Sequence, residues 1–271
     1  MVDRPGWVPD DVDLTRPSVA RVYDFYLGGS HNFEADRTFA QEILAALPSV
    51  PMLAQENRGF LRRVVAHLCA AGIDQFLDLG SGIPTVGNVH EVAQQANPHA
   101  KIIYVDHDPV AVAHSQSLLS DNDRAAAVSG DLRDPASIFT DPVLQAHLDL
   151  DRPVAVMMVA VLHFVDDDQH PAAFIAEYMR ATAPGSYLVI SHGSTDERQD
   201  MIDAQELYNN RAESPNSTRL RSHEEVTALF GNLTLVEPGV VRAPQWRPDT
   251  PDDLPPNVET CPLFAGVGRR D

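Results

Sequence analysis

Asp78, Gly80, Ser81, Gly82 and Asp106 are the residues whose types and spacing best suit chemistry in this sequence. Phe76, Leu77 and Leu79 form a short apolar run that ends in the glycine pair, which reads as a buried strand entering a tight turn. A second apolar run, Ile102-Ile103-Tyr104-Val105, ends in Asp106. Strand, glycine turn, helix, strand and acid is the layout of a nucleotide-binding βαβ unit. Glycines let a backbone approach a ligand closely, and a carboxylate can accept both ribose hydroxyl hydrogens.

The turn departs from the dinucleotide pattern G-x-G-x-x-G, because Thr85 stands where the third glycine would pack the helix on the strand. The helix also starts late. Asn88 reads as its N-cap, with Glu91 completing a capping box and Val89, Val92, Ala93 and Ala96 giving an apolar face. A loop from Gly80 to Gly87, stiffened by Pro84, therefore presents no helix N-terminus directly to a pyrophosphate. Asp78 points the same way, since a fixed anion suits a cationic amino group better than a phosphate. The run Asp78-Leu79-Gly80-Ser81-Gly82 resembles the first motif of S-adenosylmethionine-dependent methyltransferases, with an ordinary glycine turn in an α/β protein as the alternative.

The composition bounds the classes open to the chain. With 271 residues, 44% hydrophobic and 22% charged, it has the make-up of a soluble globular protein of one large or two small domains. No apolar run approaches the length of a membrane span, and the N-terminus has no signal-peptide core, so the expectation is no membrane. Cys69 and Cys261 are far apart and outside any metal-ligand spacing; no metal site is expected, and a reducing, cytoplasmic setting is the simplest reading. The net charge of −19 repels phosphate backbones, so nucleic acid is an unlikely acceptor. Lys101 is the only lysine, which fits a genome-wide codon bias.

Taken in order, residues 1–15 read as a flexible arm and 16–70 as a helical cap on a single domain spanning 1–271. Ser18 can cap a helix carrying Val19, Val22, Tyr23 and Tyr26 on one side, Gly28-Gly29 ends it, and Asn32 to Asp36 opens a second helix to about Leu47. Met52 to Cys69 reads as one long helix with Leu53, Phe60, Leu61, Val64, Val65 and Leu68 inward. A third strand, Ala126-Ala127-Val128, leads to Gly130-Asp131-Leu132. Val154 to Leu162 is the most apolar run and reads as the central strand, covered on both faces. His163 follows it, and the acidic Asp166-Asp167-Asp168 reads as a cap for a helix over Ala172–Ala181. A fifth strand, Ser186 to Ser191, places His192 on the same sheet edge as His163. The polar stretch from Thr195 to Ser222, with a helix around Tyr208 to Arg211, suits an acceptor-binding insertion or lid. Ser222 and Glu225 form a capping box, and strands over Leu233–Val241 and Leu263–Val267 suggest a terminal hairpin.

Motifs along the chain carry a closer resemblance. Arg21-Val22-Tyr23-Asp24, Gly28-Gly29, Asn32-Phe33 and Ala35-Asp36 resemble the opening of an actinobacterial S-adenosyl methyltransferase family. So do Phe76 to Gln94, Tyr104 to Pro109, Gly130 to Pro135, Val161 to Val165, Pro184 to His192, Glu237-Pro238-Gly239 and Trp246-Arg247-Pro248. The resemblance runs in order from Arg16 onward. It implies a Rossmann-like α/β fold, a seven-stranded sheet mostly parallel with an antiparallel last strand, beneath the helical cap. It also implies S-adenosylmethionine as cofactor and S-adenosylhomocysteine as product. The implied cofactor contacts are Asp78, Gly80, Ser81 and Gly82 at the first turn, and Asp106 and His107 after the second strand. Gly130, Asp131 and Leu132 follow the third strand, the last two toward adenine, although Asp131 also suits a simple turn cap. Val159 and Ala160 close the central strand, and Tyr23, Gly28 and Gly29 come from the cap.

A ligand carboxylate needs a cationic or amide partner; Arg58 can supply it or be a surface arginine, and Arg21 is a second candidate. Catalytic candidates are His163, His192 and Tyr23. His163 suits either a base titrating near neutral pH or a structural histidine. Methyl displacement needs alignment and desolvation more than an obligate base. The Asp/Asn-Pro-Pro-Tyr/Phe signature of amino-group methylation is missing at Ala160-Val161-Leu162-His163, which argues against DNA adenine methylation and towards a small-molecule or uncharacterised acceptor. Alternatives are a non-catalytic sensor of S-adenosylmethionine or its product, and a nicotinamide-dependent oxidoreductase.

Overall fold

The computed structural model describes residues 8, 12–84, 87–196, 198–210 and 217–271. Thr85 and Arg211, and residues 1–7 and 9–11 of the expected arm, lie outside the described residues. Helices α1 (Val19–Tyr26), α2 (Glu34–Ala46) and α3 (Val50–Ala70) precede the sheet. Then follow β1 (Gln75–Leu79), α4 (Val89–Ala96), β2 (Lys101–Asp106), α5 (Pro109–Leu118), β3 (Ala125–Ser129), α6 (Pro135–Thr140), α7 (Pro142–His147) and β4 (Ala155–Val159). The chain continues through α8 (Pro171–Ala181), β5 (Tyr187–Gly193), α9 (Gln199–Asn209), α10 (His223–Ala228), β6 (Thr234–Leu235), β7 (Val241–Arg242) and β8 (Leu263–Arg269).

The strand order is β3-β2-β1-β4-β5-β8-β6, with β7 also paired to β8. β1 to β5 run parallel and β8 antiparallel, as expected. Where one strand over Leu233–Val241 was expected, two short strands flank Glu237-Pro238-Gly239. Pro238 has no N–H for a ladder and Gly239 takes φ +85°, so the edge breaks there and re-forms farther along β8.

Alternation along the strands builds two cores. Leu77, Ile103, Val156, Met158, Leu188 and Ile190 pack on one face with Leu144, Phe174 and Tyr178. Phe76, Ile102, Ala155, Met157 and Val189 pack on the other with Phe60, Val64 and Leu68 of α3 and with Trp246. Covering both faces explains why β4 reads as a continuous apolar run. It ends at Val159 and not Leu162, because Ala160 turns to φ +55° and Leu162–Phe164 forms a 3-10 turn.

Two further expectations are corrected. Val8, Val12 and Leu14 of the expected flexible arm are buried with Phe33, Ile83, Val110 and Ala111, so the described part of the arm is anchored by apolar burial. The acidic triplet does not cap α8, whose N-cap is His170 in the left-handed region. Asp166 opens a separate 3-10 turn, and Asp167 pairs with Arg219 and Arg221 at 3.0 and 2.7 Å.

Candidate active site

The carboxyl ends of β1 to β4 open into a cavity of about 300 Å³ that the helical cap and α9 cover. The site begins with the first turn. Gly80 and Ser81 each donate a backbone N–H to the Val105 carbonyl, at 2.8 and 3.1 Å, which folds the turn across the end of β2. Gly80 has φ +71°, and a Cβ there would sit 2.3 Å from Cγ2 of Val161, so only glycine lets the turn lie against the segment after β4. Gly82, at φ +65°, has open space beside it.

Asp78, 6% exposed, lines the cavity, and its carboxyl makes no hydrogen bond among the described residues. Burial raises its pKa to about 7, opposed by the nearby positive charge of Arg58. Asp106 has a different environment. Its Oδ2 accepts from the Gly82 N–H at 2.7 Å and its Oδ1 from the Asp108 N–H at 2.8 Å, which fixes the carboxylate plane and leaves further lone pairs. Desolvation still pushes its pKa up. His107 lines the cavity next to it, and Leu132 forms part of the wall beyond β3. Asp131 reaches the rim, where Arg133 grips both carboxylate oxygens at 2.5–3.0 Å and holds its pKa down.

The cavity gathers Tyr23, Arg58, Asp78, Gly80, Ser81, Gly82, Asp106, His107, Asp131, Leu132, Val159, Ala160 and His163. Four expected residues are not in its wall. Gly130 packs under the third turn, where a Cβ would meet Ile138 and Val105 at 3.1 Å. Gly28 and Gly29 end α1, and Gly29 yields its Cβ space to the Asp24 carboxylate. His192 is fully buried: its Nδ1 donates to the Gly193 carbonyl at 2.7 Å and its Nε2 accepts from Arg221 at 3.0 Å. With both nitrogens engaged and its pKa driven well down by burial, His192 is corrected from a catalytic to a structural residue.

Tyr23 is corrected likewise. Its hydroxyl donates to the Ala54 carbonyl at 3.3 Å and accepts from Asn57 Nδ2 at 3.0 Å, and burial raises its pKa. Asn57 Oδ1 in turn accepts from Ser191 Oγ at 2.6 Å, and Ser191 Oγ accepts from the Ala160 N–H at 2.9 Å. This relay fastens α1 and α3 to the strained residue after β4. Asn57, 4% exposed, and Ser191, fully buried, were missed in the sequence. The available signal was an asparagine on the inward face of α3, one turn before Phe60 and Leu61.

Arg21 does not face a ligand. It pairs with Asp36 at 2.9 Å and donates to the Arg16 carbonyl at 2.6 Å, with Asp108 at 3.8 Å. Ser18 Oγ also bonds the Asp108 carboxylate, which ties the start of α1 to the start of α5. Arg58 does line the cavity, with Nη2 at 3.3 Å from Asn88 Oδ1.

His163 remains in the wall. Its Nδ1 is buried without a hydrogen-bond partner among the described residues, and burial with the charge of Arg221 lowers its pKa to about 4. The ring stays neutral near pH 7. Arg221, also missed in the sequence, clamps the turn beneath it by donating to the Leu162 and Val165 carbonyls at 2.9 and 2.8 Å.

These groups fit a nucleoside that carries an ammonium: an unbonded buried carboxyl for the cation, an oriented carboxylate for hydroxyl donors, and a glycine cradle between them. The sheet order with its antiparallel last strand and this cavity at the strand ends define the Rossmann-like methyltransferase class. The profile of the family described as S-adenosyl methyltransferase matches residues 5–271, and the chain belongs to that family. It is an S-adenosylmethionine-dependent methyltransferase, which displaces the nicotinamide reading.

Two solved structures are similar over nearly their whole length. A candidate methyltransferase from Thermobifida fusca YX is 39% identical, covers 98% of this chain and 100% of its own, and has a TM-score of 0.92. A DUF574 family protein from Streptomyces avermitilis MA-4680 is 36% identical, with 96% and 99% covered and a TM-score of 0.90. An O-methyltransferase family protein from Burkholderia thailandensis shares the fold alone, at 14% identity, 92% and 64% coverage and a TM-score of 0.52. No curated protein matches the sequence. Among the described residues no helix is long and apolar enough to cross a membrane, and no cluster suits a metal ion.

Proposed function

We propose that the protein, as one unit over 1–271, transfers a methyl group to a small-molecule acceptor held between the first-turn loops and the helical cap. The observation that carries this is the cavity itself: charged groups at the ends of β1 to β3 and an apolar wall under the cap, lining one cavity. S-Adenosylmethionine, when bound, supplies an electrophilic methyl on a sulfonium. Asp78 binds its ammonium, Asp106 its ribose hydroxyls, and Arg58 its carboxylate. Leu132 lies against adenine, with Asp131 at its amino group. Gly80, Ser81, Gly82 and His107 shape the cradle, and Val159 and Ala160 set the floor on the acceptor side. The cap keeps water from the reacting centre, so alignment and desolvation carry most of the catalysis. The free thiols Cys69 and Cys261 go with a cytoplasmic setting.

The test is incubation of the purified protein with methyl-labelled S-adenosylmethionine and a cell extract from which small molecules and macromolecules are then separated. Label in the dialysable fraction beyond cofactor and product supports the reading. Label confined to protein or nucleic acid contradicts it.

A further inference from the structure

The cavity has two unlike walls, and charge lies on one of them only. Among the described residues its carboxylates, Asp78, Asp106, Asp108 and Asp131, all stand at or just past the ends of β1, β2 and β3, with Arg133 beside Asp131. Arg58 belongs with them, since its Nη2 reaches Oδ1 of Asn88, the N-cap of α4, at 3.3 Å. The wall supplied by α1, α2, α9 and the first turn of α3 presents Val22, Tyr26, Ile43, Leu53, Met201 and Tyr208, and no charged side chain among the described residues. Two hydrophobic clusters build it, one around Phe39 and Ile43 and one around Leu47 and Ala204, and Val50 packs against both. Polar side chains in the lining there hydrogen-bond within the protein. Tyr23 and Asn57 bond each other, the Ala54 carbonyl and Ser191, and Gln205 Oε1 accepts from the Leu220 N–H at 2.6 Å. His163 Nδ1 and Thr218 Oγ1 are buried within the packing. Both walls line one cavity, so a molecule on the apolar side shares it with the cofactor. A charged acceptor placed there would leave water for a wall without a counter-ion, which is costly, whereas an apolar body gains by leaving water.

We infer that the methyl acceptor is an uncharged, mainly apolar small molecule, which lays its body on the wall of α1, α2 and α9 and turns its nucleophilic heteroatom to the cofactor. This rests on the proposed function above and narrows its substrate class. A lone pair of the acceptor heteroatom forms the new bond to the methyl carbon, while the C–S bond breaks and its electron pair returns to sulfur. A proton carried by that heteroatom leaves to water. The products are the methylated acceptor, S-adenosylhomocysteine and the proton. Phosphorylated, carboxylated and permanently cationic compounds fall outside the class, because the groups that could pair with them stand on the cofactor side.

The experiment is calorimetric titration of the full-length protein, first with S-adenosylhomocysteine and then, saturated with it, with probes alike in shape and unlike in charge. Benzyl alcohol, benzoate and benzylammonium form one set, and 1-naphthylmethanol, 1-naphthoate and 1-naphthylmethylammonium the other. In at least one set the alcohol is expected to bind ten-fold or more tighter than both ions. Tyr208→Ala, which cuts back the wall, is expected to weaken that alcohol by several-fold while leaving the S-adenosylhomocysteine affinity within two-fold. Leu53→Arg places a cation at a half-buried position of the wall and is expected to bring the carboxylate level with the alcohol or ahead of it. Tyr208→Ala keeps the test open if Leu53→Arg does not fold. An ion that binds the wild-type protein as tightly as its alcohol, no binding of either alcohol, or alcohol binding that neither substitution changes overturns the inference. Failure of S-adenosylhomocysteine to bind overturns the proposed function beneath it, and the acceptor assignment with it.

Discussion

The two walls of the cavity are built by different rules. The nucleotide wall consists of residues at the ends of β1 and β2 or within three places past β1, β2 and β3, placed by the register of those strands, with Arg58 added from α3. Its polar groups are charged and, apart from Asp78, held by backbone N–H groups or an arginine. The opposite wall is assembled from α1, α2, α9 and the turn after β4, which meet through tertiary contacts: Phe39 stands 5.0 Å from Tyr208, Leu47 clusters with Met201, Ala204 and Leu220, and Arg21 of α1 pairs with Asp36 of α2. One wall is made by local sequence, the other by tertiary contact. The charged part of the cavity thus lies at the strand ends, and its apolar part on the helices packed over them.

The largest expected effect tests the rigidity of the first wall. Gly80→Ala would place a methyl group against Val161 at a left-handed φ and is expected to cost about 3 kcal/mol of stability. Gly82→Ala, with the same sign of φ but open space, is expected to cost about 1 kcal/mol. Thermal or urea unfolding of the pair checks this, and equal losses would mean that the close approach to Val161 is unimportant.

Asp78 sets stability against binding. A buried carboxyl with no hydrogen bond favours its neutral form, so its folded pKa of about 7 lies above the ordinary 3.8. The stability it contributes is present at low pH and is lost as pH rises between those values. Asp78→Asn is therefore expected to stabilise the ligand-free protein at pH 8 by about 1 kcal/mol and to weaken S-adenosylmethionine binding by about 2 kcal/mol. Melting curves and calorimetry on the same preparations read both signs; loss of stability together with unchanged affinity would remove Asp78 from the site.

The relay between the walls is next in size. Asn57→Ala strips partners from Tyr23 and Ser191 and is expected to cost about 2 kcal/mol of stability, against about 1 kcal/mol for Tyr23→Phe. Denaturant titration checks the order, and a Tyr23→Phe variant with cofactor affinity lowered ten-fold would restore Tyr23 as a ligand contact. The smallest effect is at the rim. Arg133→Ala breaks an exposed pair with Asp131 and is expected to change stability by less than about 1 kcal/mol.

The contrast also explains what the sequence disclosed. The βαβ unit, the mostly parallel sheet with its antiparallel last strand, and the acids at the ends of β1 and β2 and after β3 were legible because apolar runs, turn glycines and terminal acids follow one another in the chain. Asn57, Ser191 and Arg221 were not, since their partners are 34, 134 and 59 residues away. His163 and His192 looked alike, each at the end of an apolar strand. Only the tertiary structure separates them: Arg221 and the Gly193 carbonyl occupy both nitrogens of His192, while His163 Nδ1 is buried without a hydrogen-bond partner among the described residues. Gly28, Gly29 and Gly130 proved to serve chain turns, a role that glycine type alone does not distinguish from ligand approach.

The most direct test of the S-adenosyl site is calorimetric titration of the wild-type protein with S-adenosylhomocysteine at pH 7.5 and pH 5.5 (roughly one and a half units below the Asp78 pKa). Binding in the micromolar range at the higher pH, weakened on the order of ten-fold at the lower as Asp78 takes up a proton, is the predicted result. No binding at either pH would contradict the assignment of the cavity, and equal binding at both would contradict the role of Asp78 within it.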